Sequence, residues 1–395
     1  TGALTVGGAG SFTTAQDNQA ITLDVATNAI SGAVTFTTNG TTGNVTIDNG
    51  TTALNLGASS IDGSLTATSG NVGGITDSGT LTVTGGASFA TDANAGVINL
   101  GPLALTGGTL TLNTDGAGTA TIVNTVGIDL AANTTIGGAT SITATTGNIT
   151  DSGTFTVGAG GATFVTSANN ATITLGTLAV TGGITLTTND SSGADSDATI
   201  VNATAFAFGA STVDGDLSAT ATLGNITQSG ALTVGGTGTF VTSADDADIV
   251  LSTTTNAITG EVSFTTNTSE SAAAGTSDVT FDNGVLDIVF AASTIDGDLV
   301  VTSGNVSGIT DNGTVTVDAD VTLTTDANAG VINMNQLAQT DNSGNTLTLN
   351  TQGAGTATIV NATAVNLAAG TVGGATSITA TLGNIIDAGT FTVSA

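Results

Sequence analysis

Several side-chain chemistries are missing from this sequence. Its 395 residues contain no Lys, Arg, His, Cys, Trp or Tyr, and a single Pro, Pro102. Without cationic side chains the chain cannot neutralise phosphates, which excludes nucleic-acid binding by counterion release and electrostatic docking on anionic lipid. Without Cys and His it has no disulfide, no thiol nucleophile, no zinc–thiolate site and no imidazole base. These absences remove several classes of binding protein and enzyme.

The charge that remains has one sign and is sparse. Thirty Asp and Glu residues give a formal net charge of -30, yet only 8% of the residues are charged. Ordinary soluble domains carry about 25%. Hydrophobic residues make up 39% of the chain, and Val, Ile and Leu are common among them, unlike in disordered chains. No apolar run approaches the roughly 20 residues of a membrane helix, so direct membrane insertion is not expected.

One motif returns throughout the chain. It reads Ile-Thr-Asp-Ser-Gly-Thr-Leu-Thr-Val at 75–83, and the chain opens on its tail at 2–6. The further copies lie at 149–157, 226–234, 309–317 and 385–393. The shared glycine recurs from Gly2 to Gly389 with a mean spacing of (389 - 2)/5 ≈ 77 residues. Each unit divides into three similar segments of about 26 residues, which is the signature of a repeat architecture.

Alternation within the segments predicts strands. Apolar residues alternate with Thr, Ser or Asn, as in Leu81-Thr-Val83, and a period of two indicates β-structure. Asn39-Gly40 and Asp62-Gly63 are hairpin signals, so antiparallel sandwich domains are the alternative. A sandwich needs about 100 residues, whereas a 26-residue segment is too small to bury a face alone. Stacked repeats solve that problem.

We therefore predict an all-β fold, a right-handed parallel β-helix (β-solenoid) of about 15 coils with about 26 residues per coil. Residues 1–395 are expected to form a single continuous β-solenoid that is part of a longer array or a filament subunit. Five related segments open on Asn, which predicts an internal or corner ladder of stacked amides at Asn71, Asn148, Asn225, Asn305 and Asn384.

The coil pattern resembles a known group of proteins. Coils such as Gly147-Asn-Ile-Thr-Asp-Ser-Gly-Thr-Phe-Thr-Val157 are similar to those of the large repetitive surface proteins of bacteria, of the filamentous-haemagglutinin-like β-helix adhesin type. The resemblance implies export to the extracellular space or cell surface, a β-helical shaft, and an adhesive or matrix role with glycans or host cell surfaces as partners. This chain differs in lacking every basic residue and most aromatic ones.

Two paired carboxylates are the first candidates for a functional site. Asp214-Gly-Asp216 and Asp296-Gly-Asp298 have the i, i+2 spacing that, on a strand, projects both side chains to one face. A glycosidase pair or a hard cation such as calcium uses such an arrangement. The first repeat has Asp62-Gly-Ser64 at the matching place, and the chain has no basic residue to bind an acidic sugar. A solvated turn is the alternative, and we expect no enzyme.

Other carboxylates suggest calcium without requiring a cofactor. Asp245, Asp246 and Asp248 form a second candidate metal site, with a negatively charged loop as the alternative. The equivalent corner residues Asp77 and Asp151 are predicted about 14 Å apart, three coils of about 4.8 Å, and so cannot share an ion. Asp311 is a third such corner.

The sequence predicts a structural protein. We expect an extracellular fibre, sheath or adhesin shaft, in which solenoid coils stack and chains self-associate end to end or side by side. The alternative is a calcium- or glycan-binding surface adhesin module. The long polar turns at 189–198 and 267–278 are the expected binding loops of that alternative, because loops on a rigid scaffold usually carry binding.

Overall fold

The computed structural model describes residues 2–189, 195–267, 276–340 and 344–394. The two long polar turns therefore lie partly outside the described residues. The protein is an all-β parallel β-solenoid of about 17 turns, with about 22 residues per turn and no helix in the described ranges. This confirms the predicted fold class, and the predicted 15 coils of 26 residues are close. The right-handed sense stays a prediction.

The chain forms two compact units, residues 1–200 and 201–395, and each is described by itself. A single continuous solenoid over 1–395 stays a prediction. Unit 1 contains the strands β1 Thr5–Val6, β2 Gly10–Thr13, β3 Ile21–Leu23, β4 Ala29–Ile30, β5 Val34–Thr37, β6 Val45–Asp48, β7 Leu54–Leu56, β8 Ser59–Ile61, β9 Leu65–Ser69, β10 Ile75–Asp77, β11 Leu81–Val83, β12 Ala87–Asn94, β13 Ile98–Leu105, β14 Leu110–Asp115, β15 Ala120–Asn124, β16 Ile128–Leu130, β17 Thr134–Ile136, β18 Thr140–Ala144, β19 Ile149–Asp151, β20 Phe155–Val157, β21 Ala162–Thr166, β22 Ile173–Val180 and β23 Ile184–Thr187.

Strand β24, Ala198–Asn202, spans the boundary between the two ranges. Unit 2 contains β25 Phe206–Phe208, β26 Ser211–Val213, β27 Leu217–Ala221, β28 Ile226–Gln228, β29 Leu232–Val234, β30 Gly238–Thr242, β31 Ile249–Leu251, β32 Ala257–Ile258, β33 Val262–Thr265, β34 Val279–Asp282, β35 Ile288–Phe290, β36 Ser293–Ile295, β37 Leu299–Ser303, β38 Ile309–Asp311, β39 Val315–Val317, β40 Val321–Asn328, β41 Ile332–Gln339, β42 Leu347–Gln352, β43 Ala357–Asn361, β44 Val365–Leu367, β45 Gly370–Val372, β46 Thr376–Ala380, β47 Ile385–Asp387 and β48 Phe391–Val393.

Successive turns stack in register. In unit 1, Ile21 lies opposite Val45, and Val45 lies opposite Leu65 on the following turn. Leu65 in turn lies opposite Ala87. These pairs are 24, 20 and 22 residues apart in sequence. Because the strands are parallel and aligned, these inward apolar side chains stack on one another from turn to turn, and outward residues such as Thr22, Thr46 and Thr66 align in the same way.

The sequence repeat and the structural turn do not coincide. In unit 1 the Ile-Thr-Asp strand β10 lies in one of the two main sheets, and its copy β19 lies in the other. In unit 2, β28 and β47 share one sheet whereas β38 lies in the other. A repeat of about 77 residues therefore spans three and a half turns, since 77/22 = 3.5. The sequence analysis divides each repeat into three coils instead of three and a half, and so the predicted coil of about 26 residues is longer than the observed turn of about 22.

The core of unit 2 contains a row of phenylalanine side chains. Phe264 is fully buried, with its ring stacked on Phe240 at 5.7 Å between centroids. Phe281 lies at 5.3 Å from it and Phe290 at 6.1 Å. Such pairs add about 0.5–1.5 kcal/mol each beyond the burial of their area. Aromatic stacking along the solenoid axis therefore reinforces the backbone ladder.

Buried asparagines satisfy backbone groups at the ends of inward-facing strands. Asn49 is fully buried, its Oδ1 accepts the N–H of Ile30 at 2.8 Å, and its Nδ2 donates to the carbonyl of Ala53 at 3.0 Å. Asn124 is also fully buried, accepting from Leu105 at 2.8 Å and donating to Gly127 at 2.9 Å. An unpaired buried backbone group is costly, so these amides close the turns at which the ladder is interrupted.

The phenylalanine row generates a stability prediction. Replacing Phe264 with Ala removes a ring from a site with three aromatic neighbours. We expect a loss of about 3–5 kcal/mol in the free energy of unfolding of unit 2. Urea denaturation followed by circular dichroism measures this, because the chain has no Trp or Tyr to report by fluorescence.

The matched control is Val285→Ala, since Val285 is 76% exposed. We expect a change within about 0.5 kcal/mol for that variant. Equal losses for both variants would contradict a packed aromatic core at Phe264.

Candidate functional site

Four aspartates on successive turns of unit 2 form a hydrogen-bonded row, which we call the aspartate ladder. Asp248 Oδ1 accepts the backbone N–H of Asp278 at 3.0 Å, and Asp278 Oδ1 accepts that of Asp298 at 2.8 Å. Asp298 Oδ1 accepts the N–H of Asp320 at 2.9 Å, and Asp320 Oδ1 that of Thr346 at 2.6 Å. The row places like charges one turn apart, about 4.8 Å. Each carboxylate thus both supports the next turn and repels its neighbours.

The same row is uncharged in unit 1. Residues 2–86 are similar in sequence to residues 230–320, and aligning these two stretches places Ala20, Asn44, Ser64 and Gly86 at the positions of the four ladder aspartates. Asn44 makes the same bond as a carboxylate, because its Oδ1 accepts the N–H of Ser64 at 2.8 Å. The hydrogen bond therefore needs a side-chain oxygen but no negative charge. The charge of the ladder is a property of unit 2 that folding alone does not require.

The environment of the ladder perturbs one carboxyl group. Partial burial raises the pKa of Asp298 above its ordinary value, and the charges of Asp278 and Asp320 raise it further, although the bond from the Asp320 N–H acts in the opposite direction. Burial also raises the pKa of Asp282 and that of Asp318. The sequence contains no basic side chain that could offset these effects. Unit 2 therefore holds carboxyl groups that favour the protonated form more than free aspartate does.

The equivalent corner aspartates brace the bend of the following turn. Asp151 accepts the N–H of Gly176 at 2.9 Å and that of Thr177 at 2.8 Å. Asp311 likewise accepts two backbone N–H groups, from Asn335 and Gln336, at 2.9 and 2.7 Å.

Asp77 differs from the other two corners because of the only proline. It accepts the N–H of Gly101 at 3.2 Å, but the next residue is Pro102, which has no N–H. Its Oδ2 is buried and has no hydrogen-bond partner among the described residues. The three corners thus act as structural braces, and the first is incomplete.

The paired carboxylates singled out in the sequence lie at bends between strands and not on strands. Asp214 and Asp216 occupy the bend between β26 and β27, where Asp216 Oδ1 accepts the N–H of Thr237 at 2.7 Å. Asp296 and Asp298 occupy the bend between β36 and β37. Asp296 is 7% exposed, and its N–H donates to Thr266 Oγ1 at 2.9 Å. Their recorded bonds are to neighbouring turns, so both pairs help to join successive coils.

The Asp245, Asp246 and Asp248 group makes contacts with different partners. Asp245 accepts from Asn267 Nδ2 at 2.5 Å, and Asp246 accepts from Thr276 Oγ1 at 2.7 Å. Asp248 belongs to the aspartate ladder, together with Asp298 from one of the pairs. The aspartate ladder therefore contains one residue from each of two predicted sites, Asp248 and Asp298. Their distance in the sequence gives no sign of this.

The described residues contain no group of three or more His, Cys, Asp or Glu side chains arranged to hold a metal ion. In the aspartate ladder, a cation could contact two neighbouring carboxylates at a time, because the aspartates follow one another in a single row. Calcium binding at Asp214, Asp216, Asp296, Asp298, Asp245, Asp246 and Asp248 stays a prediction. In the same described ranges, no helix has the length and apolar character needed to cross a membrane.

The corner asparagines lie at bends rather than in the core. Asn148 Oδ1 accepts the N–H of Thr172 on the next turn, and Asn225 Oδ1 accepts that of Asp248, each at 3.0 Å. The buried asparagines are others, which the sequence analysis does not assign to the interior: Asn49 and Asn124, together with Asn28, Asn202, Asn256, Asn283 and Asn361. Their position was readable: Ala120, Ile122 and Asn124 alternate with outward residues, so Asn124 has inward parity.

Comparison with known proteins supports the repeat. A family model described as repeats of unknown function (DUF5649) matches residues 1–37, 42–102 and 195–265, together less than half of the chain. Most of the matched residues lie in the two similar stretches, 2–86 and 230–320. Neither a curated protein nor a solved structure matches the chain significantly. The match and the fold agree on a repetitive β-helix protein.

The incomplete corner at Pro102 generates a prediction. In Pro102→Thr the new N–H would complete the brace on Asp77, as Thr177 does for Asp151. A hydrogen bond to a charged group contributes about 1.5–3 kcal/mol. Losing the restriction that Pro places on the unfolded chain costs about 0.4–1 kcal/mol. We expect a net gain of about 1 kcal/mol in unfolding free energy by urea titration.

The control is the same substitution in an Asp77→Asn background. In the brace at Asp151 the two N–H groups bond to different carboxylate oxygens, Oδ1 and Oδ2. An amide has an NH2 group in place of the second oxygen, so the gain should largely disappear. A gain of equal size in both backgrounds would show that the new N–H does not act through Asp77.

The raised pKa of Asp298 generates a pH prediction. A folded-state pKa above the unfolded value stabilises the fold fully below the unfolded pKa of about 3.9, and this contribution is lost as the pH rises through the folded pKa. Asp298→Asn keeps the oxygen that accepts the Asp320 N–H but removes the charge. We expect the variant to unfold at a higher temperature than the parent protein at pH 7, and the difference to vanish near pH 3.

Asp17→Asn, in an exposed turn of unit 1, controls for the loss of one negative charge. The measurement is the Tm of the parent protein, Asp298→Asn and Asp17→Asn between pH 3 and pH 7. A Tm difference for Asp298→Asn that is the same at pH 3 and pH 7 would contradict the electrostatic origin of the effect.

Proposed function

We propose that this protein is structural: a stiff β-solenoid element of an extracellular fibre, sheath or adhesin shaft that self-associates. The observation that carries the proposal is the in-register parallel stacking of similar turns in each unit. Strand pairs such as β15–β18 and β18–β21 align five residues each. Stacked repeats of this kind form continuous backbone ladders around a dry core, which resist bending and local opening.

The polar side chains support a structural role in preference to a catalytic one. The carboxylates that sequence analysis offered as a catalytic pair accept backbone N–H groups of adjacent turns. The buried amides likewise close the ladder. Acid–base catalysis needs a group placed to exchange a proton with a substrate, whereas these groups are engaged in bracing the coil. We therefore propose that the protein is not an enzyme.

The surface composition supports an extracellular location. A chain without Lys or Arg offers no cleavage site to trypsin-like proteases, and outward rows of Thr and Ser make a neutral, hydrated face. The net charge of -30 favours solubility. The adhesin type, with glycans or host cell surfaces as partners, is the finer proposal that the resemblance to filamentous-haemagglutinin-like proteins suggests.

A calcium-binding surface module is the second candidate, and the aspartate ladder is the observation that favours it. Carboxylate oxygens are the ligands that calcium prefers. Burial is the main cause of the raised pKa of Asp298, and the charges of Asp278 and Asp320 raise it further; a cation between neighbouring aspartates of the ladder would offset both effects. The ladder also differs from its uncharged counterpart in unit 1, as expected if its charge serves a purpose beyond folding.

One experiment tests the structural role and separates it from the second candidate. Sedimentation velocity of the 395-residue chain over a range of protein concentrations, with calcium or with a chelator, measures self-association. We expect linear species that lengthen with protein concentration in both solutions, and electron microscopy should show them as unbranched filaments. Assembly only with calcium favours the second candidate. Monomers at every concentration in both solutions contradict the self-associating structural role.

A further inference from the structure

We propose that a surface groove of unit 1, which we call the Asp129 groove, binds one sugar unit of a neutral polysaccharide. Its lining residues include Thr106, Gly108, Asp129, Asn148 and Thr150. The structural role of the protein does not require this ligand, so ligand binding and self-association can be tested separately.

The Asp129 groove crosses three successive turns. Thr106 and Gly108 lie on the first turn, Asp129 on the second, and Asn148 and Thr150 on the third. The groove has a volume of about 310 Å³, at the lower end of the range of about 300–1,000 Å³ that small-molecule sites occupy. This size suits a ligand of one sugar unit.

Two glycines keep the first turn free of side chains at the groove. Gly108 has a positive φ of 67°, which favours glycine. A Cβ on Gly107 would lie 2.4 Å from the carbonyl oxygen of Thr84, and one on Gly108 would lie 2.5 Å from the backbone nitrogen of Gly86. The close approach of the neighbouring turn therefore excludes a side chain at both positions, and the groove has bare backbone there.

Asp129 supplies an acceptor that the protein itself does not use. It lies on β16, opposite Thr150 of the next turn. Its Oδ1 is shielded from solvent and has no hydrogen-bond partner among the described residues, which costs free energy. The torsion about Cβ–Cγ is broad and roughly twofold, so a ligand can draw either oxygen toward the groove. A hydroxyl group that donates to this carboxylate would offset the cost.

Two other side chains of the groove complement the carboxylate. Asn148 Oδ1 accepts the N–H of Thr172 at 3.0 Å, whereas its Nδ2 has no hydrogen-bond partner in the described part of the chain. Thr150 Oγ1 donates to the carbonyl of Ile128 at 3.3 Å and keeps a lone pair to accept a further bond. A hydroxyl group both donates and accepts, so adjacent hydroxyls of a sugar can bond to the carboxylate and the amide together.

The unpaired oxygen recurs in the repeats. Asn55, Asp129 and Asn366 each lie opposite the middle residue of an Ile-Thr-Asp strand or its copy. The Oδ1 atoms of all three are shielded and lack a partner among the described residues. Ala207 and Val289 occupy the same position in the two other copies. The three polar copies share an oxygen and not a charge, which favours a neutral hydrogen-bond donor as the ligand.

Calcium suits the groove less well than a sugar. Calcium takes about six to eight oxygen ligands, and Asp129 is the single carboxylate among the residues that line the groove. The carbonyl of Gly127 already accepts from Asn124 Nδ2 at 2.9 Å, and that of Asn148 accepts the N–H of Ile128 at 2.8 Å. An acidic sugar would meet the charge of Asp129 with no basic side chain to offset it. The ligand class that remains is a neutral sugar.

A local fluorescent reporter tests the site, because the chain has no cysteine of its own. Thr125 is exposed and precedes Val126, which lines the groove. Thr125→Cys is labelled with an environment-sensitive dye and titrated with hexasaccharides of glucose, mannose, galactose and galacturonate. We expect at least one of the three neutral sugars to change the emission with a Kd on the order of 1 mM, and the acidic one to have no effect.

The matched control carries the dye at Ala203→Cys. Ala203 is the exposed counterpart of Thr125 in the repeat in which Ala207 replaces the polar residue. This reporter should not respond to the sugars.

Substitutions at Asp129 test the role of the oxygen. Asp129→Val introduces the residue that the same position holds at Val289, and we expect the sugar to bind at least about tenfold more weakly. Asp129→Asn keeps an oxygen and should bind within about threefold of the parent protein. Asp17→Asn, in an exposed turn, should leave binding unchanged. Far-UV circular dichroism verifies that each variant is folded.

Each outcome supports or overturns the site. A response at Thr125→Cys alone, lost in Asp129→Val and kept in Asp129→Asn, supports it. No response to any neutral sugar, equal responses of the two reporters, or undiminished binding in Asp129→Val overturns it. Binding that a chelator or Asp129→Asn abolishes would show that the groove holds a cation, and this also overturns it. Sedimentation of Asp129→Val should match the parent protein, so these results leave the structural function to its own test.

Discussion

The structure depends on the parallel backbone ladder between one turn and the next. A single turn of about 22 residues cannot bury an apolar face, and it gains stability only when an aligned turn covers it. Each inward position must therefore suit the position one turn away, as with Ile21, Val45 and Leu65 in unit 1. This requirement explains the composition of the chain. Few charged residues, short bends, and many Thr, Val and Ile residues suit strands that stack on similar strands. No salt bridge is open to a chain without basic side chains, so the ladder and the core carry the stability.

The polar side chains follow from the same constraint. Where the backbone bends and the ladder is interrupted, a side-chain oxygen of the preceding turn takes over the N–H of the next turn, as Asp151, Asp298 and Asn148 do. An amide is sufficient for this purpose, as Asn44 shows. Burial raises the pKa values of Asp282, Asp298 and Asp318 in unit 2, and neighbouring carboxylates raise them further, so these three side chains make stability depend on pH. Local charge can thus adjust the strength of coupling between turns without any change in fold.

The sequence predicts the fold class well because the determinant is local and repeated. Alternation in segments such as Leu81-Thr-Val83 indicates strands, and the repeat indicates stacking. The length of the turn was harder to predict from the sequence, because a repeat of three and a half turns places β10 and β19 in opposite sheets.

The sequence identified the carboxylate candidates as residues but did not show which of them lie together. Asp248 and Asp298 are 50 positions apart in sequence, and only the stacking register joins them through Asp278. The role of Pro102 also needed the structure, since it follows from an N–H missing opposite Asp77.

Fibre diffraction from oriented assemblies tests the central claim most directly. If solenoid turns stack along the fibre axis, the strands run across that axis. The account predicts a strong meridional reflection at about 4.8 Å, the spacing between neighbouring strands. A 4.8 Å reflection on the equator would show that strands run along the fibre, and it would contradict assembly through stacked turns.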